Sequence, residues 1–121
     1  MKKENLKIQN LGRHLIFEFW KAKNLNSLNL IKKLLKEAVE ICGATLLEIK
    51  VHKFSPQGIT GIALISESHI SIHTWPEYSY AAIDVFTCSK KVIPEKTLLV
   101  FKKFLKPKNI KIIDLKRGIL I

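Results

Sequence analysis

Between Leu47 and Thr87 four strand-like stretches follow one another with no room for a helix between them, and this run most constrains the fold. Leu47, Ile49 and Val51 alternate with Glu48, Lys50 and His52, the period-two pattern of a strand with one wet face. Ser55-Pro56-Gln57-Gly58 reads as a turn, and Ile59 to Ile65 and His69 to Trp75 as two more strands. Ser66-Glu67-Ser68 is the tight connection between those two, and Tyr80 to Thr87 follows as a further strand. Upstream, His14 to Trp20 (HLIFEFW) is rich in aromatic and branched residues and reads as the first strand.

Two helices punctuate this pattern. Asn26 or Ser27 offers an N-cap, after which Leu28, Ile31, Leu35, Ala38 and Cys42 recur at helical spacing. Gly43 then stands where a helix end favours positive φ. Pro94 suits a first helical turn, with Leu98, Phe101 and Leu105 as the apolar stripe of a second helix. Ile110, Ile112 and Leu115 supply a closing strand before Arg117-Gly118. The order strand, helix, four strands, helix, strand predicts an α+β fold, a two-layer α/β sandwich with an antiparallel sheet and both helices packed on one face. The other face then needs a cover, which is a reason to expect a dimer.

Charge raises a competing idea. The 121 residues carry 21 Lys and Arg against 10 Asp and Glu, a formal net charge of +11. Such an excess can mark a nucleic-acid binder. Here Lys32-Lys33, Lys36, Lys102-Lys103 and Lys106 are scattered along amphipathic segments, the pattern of solvated helix faces rather than of a phosphate-tracking stripe. No nucleic-acid partner is expected. A 47% hydrophobic content suits one globular domain, residues 1–121, with its own core. Apolar runs such as Ile62 to Ile65 are far too short to cross a bilayer, so no membrane partner is expected either. The basic start, Met1-Lys2-Lys3-Glu4-Asn5, leads into no apolar signal core, and a cytoplasmic location is expected. Cys42 and Cys88 read as free thiols rather than as the staple of a secreted scaffold, with Cys42 on the apolar stripe of the first helix.

The unusual residues gather in one window, from Lys53 to Cys88, which holds two of the four histidines, one cysteine and a Trp-Pro-Glu step. It contains no G-x-S-x-G elbow, zinc-spaced Cys/His set or phosphate-binding glycine loop. Alone, Glu67-Ser68-His69 would be a surface turn. The composite Ile65-Ser66-Glu67-Ser68-His69-Ile70-Ser71-Ile72-His73-Thr74-Trp75-Pro76-Glu77, however, closely resembles the signature of the prokaryotic S-adenosylmethionine decarboxylases. The resemblance extends from Gly12-Arg13-His14 to Thr87-Cys88 and faintly to Arg117-Gly118.

That resemblance implies a proenzyme that cuts itself between Glu67 and Ser68. The Ser68 hydroxyl would attack the Glu67 carbonyl, turning the peptide into an ester. Loss of the Ser68 α-proton would then expel the Glu67 carboxylate, and the dehydroalanine left behind would hydrolyse to a pyruvoyl group. A strained, exposed turn suits such chemistry. His73 resembles the family's processing histidine, and imidazole suits proton transfer near neutrality. His73 lies five residues beyond Ser68, so the two should point to opposite faces of a regular strand, and the resemblance implies a bend or an oblique approach. Thr60 stands where the family usually has a processing serine, keeping the hydroxyl and adding a methyl group. Neither His52 nor His69 matches a family role, and both read as structural or solvated.

For turnover, Cys88 resembles the family's catalytic acid, the proton donor to the substrate α-carbon. Phe54 and Trp75 resemble the pair that stacks adenine, Glu77 a ribose-binding carboxylate, and Glu67 a second substrate-binding residue beside the pocket. Aromatic faces also attract a sulfonium cation. The implied product of S-adenosylmethionine is its decarboxylated form, made through a Schiff base on the pyruvoyl group, with no metal needed. The mature enzyme would hold a β chain of residues 1–67 and an α chain of residues 68–121, in a homodimer of processed αβ protomers. Two rivals stand beside this reading. One is a sister pyruvoyl decarboxylase acting on arginine or ornithine, and the other is a basic non-enzymatic nucleic-acid-binding module.

Overall fold

The computed structural model describes residues 9–120. The basic Met1–Asn5 run and Ile121 therefore lie outside the described residues. In chain order the elements are β1 (Gln9–Trp20), α1 (Leu28–Cys42), β2 (Leu46–Lys53), β3 (Ile59–Ile65), β4 (Ser68–Trp75), β5 (Tyr80–Thr87), α2 (Thr97–Leu105) and β6 (Asn109–Leu120). This is the expected order. The described strands form one six-stranded sheet, β2-β3-β4-β5-β1-β6, and every neighbouring pair is antiparallel.

Helix α1 begins where its sequence signals say. The Ser27 hydroxyl accepts from the Leu30 N–H at 3.2 Å, while Asn26 is used elsewhere, its Oδ1 accepting from the Gly58 N–H at 3.0 Å. Gly43 ends the helix at φ 80°, in the left-handed region that glycine enters at little cost. Ile31, Leu34, Leu35, Ala38, Val39 and Cys42 form its buried stripe. Cys42 is thus core, and burial pushes its thiol pKa up. Pro94 opens a short 3₁₀ turn, Pro94–Lys96, that leads into α2.

Both helices lie over one face of the sheet. Leu15, Phe17, Phe19, Ile59, Ala63, Ile65, Ile70, Ile72, Ala81, Ile83 and Val85 are the alternate residues that meet them, all 2% exposed or less. Gly61 lets α1 come close, because a Cβ there would stand 3.0 Å from Leu35 Cδ1 and 3.3 Å from Ile31 Cγ2.

The opposite face carries His14, Ile16, Glu18 and Trp20 from β1, and Tyr80, Ala82, Asp84 and Phe86 from β5. From β4 and β3 it carries His69, Ser71, His73, Trp75, Thr60, Ile62 and Leu64. No helix among the described residues covers it. Trp20, Ile62, Leu64, Trp75, Ile113 and Leu115 are 38–46% exposed there. β4 begins at Ser68, one residue before the expected His69, and two strand limits differ from expectation by more. The first strand starts at Gln9 rather than His14, and the last runs through Arg117-Gly118 to Leu120. The two extensions hydrogen-bond to each other, Asn10 opposite Ile119 and Gly12 opposite Arg117, so the pairing partner sets their length rather than their own hydrophobicity. No helix among the described residues is long and apolar enough to cross a membrane.

Candidate active site

The β3–β4 connection consists of two residues, Ser66 and Glu67, between the paired Ile65 and Ser68. So short a hairpin forces unusual torsions on its flank, and Ser68 takes φ 136°. That region is nearly reserved for glycine and costs a serine about 1–3 kcal/mol. Ser68 lies opposite Thr87, which brings the residue after β5, Cys88, to the same end of the sheet. The Cys88 N–H donates to the Glu67 carbonyl oxygen at 2.9 Å. The carbonyl that Ser68 would attack is therefore already hydrogen-bonded. The Cys88 thiol is free and exposed, and it borders a cleft of about 330 Å³ shared with Asn10, Gly12, Arg13, Lys90 and Pro94.

The Glu67 side chain is held by the loop before β2. Its carboxylate accepts from the Thr45 N–H at 3.0 Å and the Thr45 hydroxyl at 3.3 Å, and the Ser66 N–H donates to the Thr45 carbonyl at 3.0 Å. Thr45 carried no signal in the sequence beyond following the helix-ending Gly43.

At the far end of β4 the remaining expected residues meet. Phe54, Thr60, His73, Trp75 and Glu77 line one cleft of about 210 Å³, with Gln57, Gly58, Ile59 and Thr74. Thr60 and His73 are register partners, and Thr60 Oγ1 lies 3.1 Å from His73 Nδ1. The Thr60 hydroxyl is thus in contact with the His73 imidazole. Trp75 packs on Tyr80 with ring centres 5.4 Å apart, and Tyr80 stacks on Trp20 at 4.3 Å. The Tyr80 hydroxyl donates to Glu18 Oε1 at 2.6 Å. Burial, then this bond, pushes its pKa up to about 12. Phe54 is half exposed and packs edge-on against His52, 4.5 Å between ring centres.

The expected bend in β4 is absent. Its register with β3 and with β5 advances residue by residue from Ser68 to the strand's end. Five residues at about 3.3 Å each put His73 roughly 16 Å from Ser68 in the same chain, on the other side of the pleat. One chain therefore brings Glu67, Ser68 and Cys88 together, and separately Phe54, Thr60, His73, Trp75 and Glu77, but not the two groups.

Sequence reasoning missed a polar cluster between them on the open face. Asp84 Oδ2 lies 2.7 Å from His14 Nε2 and 3.0 Å from His69 Nε2, and the Ser71 hydroxyl donates to Asp84 Oδ1. Burial opposes ionisation of Asp84, but the bonds from Ser71, His69 and His14 outweigh it and leave the carboxyl below its usual range. Arg117 Nη1 sits 2.9 Å from His14 Nδ1. A guanidinium only donates, so Nδ1 accepts and the His14 proton is on Nε2, facing Asp84. The three ligand atoms lie within 4.8 Å of one another, but with that proton in place His14 Nε2 has no lone pair for a metal ion. Strand periodicity puts these residues on one face; the register that makes them neighbours is not written in any one strand.

A profile of the family described as S-adenosylmethionine decarboxylase matches residues 13–118 of this chain. The chain is 55% identical, over 93% of its length and 94% of the relative's, to the S-adenosylmethionine decarboxylase proenzyme of Methanococcus maripaludis strain C7. It is 40% identical to the protein of the same name from Thermomicrobium roseum, over 94% of this chain and 99% of that one. In three dimensions it is similar to the crystal structure of the adenosylmethionine decarboxylase from Aquifex aeolicus. That likeness has a TM-score of 0.85 and 32% identity, covering 93% of this chain and 95% of the other.

Proposed function

Because the chain belongs to the S-adenosylmethionine decarboxylase family, we propose that it is a cytoplasmic, single-domain proenzyme that cuts itself between Glu67 and Ser68 and then decarboxylates S-adenosylmethionine. The product, decarboxylated S-adenosylmethionine, is the aminopropyl donor for spermidine. One observation carries the assignment of the cleavage position: Ser68 is held at φ 136° beside a Glu67 carbonyl that accepts from the Cys88 N–H at 2.9 Å.

Strain and polarisation act on the same peptide bond. The amide donor stabilises negative charge on the Glu67 oxygen as Ser68 Oγ adds to the carbonyl carbon. Collapse breaks the C–N bond and leaves an ester between Glu67 and the Ser68 side chain. Removal of the Ser68 α-proton expels the Glu67 carboxylate, and water then takes the nitrogen away as ammonia, leaving a pyruvoyl group on the chain of residues 68–121. The residues at hand fit such a group, since position 68 begins the new chain beside an exposed thiol. That group supplies an electron sink for the carbon that loses carbon dioxide. Cys88 Sγ delivers the proton to that carbon, Phe54 and Trp75 stack the adenine, and Glu77 binds the ribose hydroxyls.

A homodimer accounts for the separation of the two clusters. The roughly 16 Å between Ser68 and His73 is too long for proton transfer within one chain. The uncovered sheet face, with its exposed Ile62, Leu64, Trp75 and Leu115, is the surface on which a second copy would dock. In that arrangement Thr60, His73, Trp75 and Glu77 of one protomer serve Ser68 and Cys88 of the other. Ser68→Ala tests the cleavage chemistry on a denaturing gel. The variant stays full length, because no hydroxyl remains to start the acyl shift; cleavage of the Ala variant at the same bond refutes the mechanism.

A further inference from the structure

Thr45 touches neither cleft, yet it makes three hydrogen bonds to the two residues of the cleavage hairpin. Its carbonyl takes the Ser66 N–H at 3.0 Å, its N–H goes to Glu67 Oε1 at 3.0 Å, and its hydroxyl goes to Glu67 Oε2 at 3.3 Å. On the other side, the Glu67 carbonyl is held by the Cys88 N–H at 2.9 Å. Glu67 is thus fixed at both ends, its side chain by the α1–β2 loop and its carbonyl by the end of β5. The loop is itself rooted. Gly43 turns the chain out of α1 at φ 80°, and the Ala44 N–H returns to the Val39 carbonyl at 3.1 Å.

The consequence falls on the next residue. A two-residue hairpin free to relax would let Ser68 leave φ 136° and turn the Glu67 carbonyl off the Cys88 N–H. Holding Ser66 and Glu67 from the helical layer prevents both. Resting on the proposed cut between Glu67 and Ser68, we infer that Thr45 is a positioning residue for self-cleavage, acting through the Glu67 carboxylate to keep the scissile bond in its reactive geometry. Thr45 and Glu67 end up in the same fragment, residues 1–67. The clamp therefore survives the break and keeps the new Glu67 terminus beside the position 68 it has just left.

The test is a time course of the full chain made by cell-free synthesis, with cleavage read on a denaturing gel. Thr45→Val replaces the hydroxyl with a methyl group of similar size and keeps the backbone N–H and carbonyl, and Thr45 is exposed, so the fold tolerates it. Cleavage should slow roughly 3- to 10-fold, the kinetic equivalent of one hydrogen bond at a solvated site. Thr45→Ser should return the rate to within about twofold of the original. Glu67→Gln should slow cleavage too, and Thr45→Val in that background should add less than it does alone, because both act through one contact. Thr45→Val cleaving at the unaltered rate, Thr45→Ser as slow as Thr45→Val, or fully multiplicative effects with Glu67→Gln each overturn the inference. An unaltered chain that is not cut between Glu67 and Ser68 overturns the cleavage reading itself, which separates the two failures.

Discussion

Cys88 and His73 are assigned to different stages, so removing them should stop the protein at different points. In the proposed mechanism the Cys88 Sγ proton is needed only after the chain is cut, whereas the backbone N–H, which every residue but proline supplies, holds the Glu67 carbonyl. Cys88→Ala should therefore be substantially cleaved on a denaturing gel and slow in turnover by about 100- to 10,000-fold, the range for a lost general acid. Near-normal turnover of that cleaved variant would return Cys88 to a structural role. His73→Ala should remain largely full length, because the Ser68 α-proton loses its acceptor. Trp75→Ala should be cleaved but lose roughly 10-fold or more in kcat/KM for S-adenosylmethionine, matching about 1.5 kcal/mol of stacking. An unchanged kcat/KM would remove Trp75 from the adenine site.

At the scale of elements, the sheet's two faces carry different risks. On the helix side Leu35 is fully buried against β3, where Gly61 admits it, and Leu35→Ala should cost about 2–5 kcal/mol in denaturant unfolding. On the open side the Asp84 cluster ties β1, β4, β5 and β6 together. The Asp84 carboxyl is held below its usual range in the folded chain, so its contribution is complete above the unfolded carboxylate pKa of about 4 and is lost as pH falls through the lower, folded value. Asp84→Asn should be less stable at neutral pH and show a shallower acid limb in thermal melts. An acid limb identical to that of the unaltered chain would show that Asp84 carries none of it.

These two faces also mark what could be read from the chain. Helix α1, its Ser27 cap and its Gly43 stop follow from local signals, and the antiparallel run from β2 to β5 follows from short connections. The proposed cleavage motif, Thr60, Trp75 and Cys88 could be singled out as candidates because residue types and spacing travel together in the signature. Thr45 was not, since its importance comes from a contact across 22 positions, and neither was the Asp84 cluster, which needs the register of several strands at once. The extra length of β1 and β6 escaped for the same reason, because each strand's end is set by the other.

For the whole molecule, the distance between the two clusters makes a prediction about mixtures. Ser68→Ala and His73→Ala chains should each stay uncut alone. Unfolded and refolded together, they should form mixed dimers in which a chain with Ser68 faces a chain with His73. A tagged His73→Ala chain should then become cleaved, and a tagged Ser68→Ala chain should not. Absence of any cleavage in the mixture would place His73 with the Ser68 of its own chain and remove the argument for a shared site.

The intact mass of the purified protein tests the position and outcome of the cut most directly. Two chains are expected, one ending at Glu67 and one beginning at position 68, the second having the mass of a pyruvoyl rather than a seryl terminus and resisting Edman degradation. A single chain of 121 residues, a cut at another bond, or an unblocked serine at position 68 would contradict it.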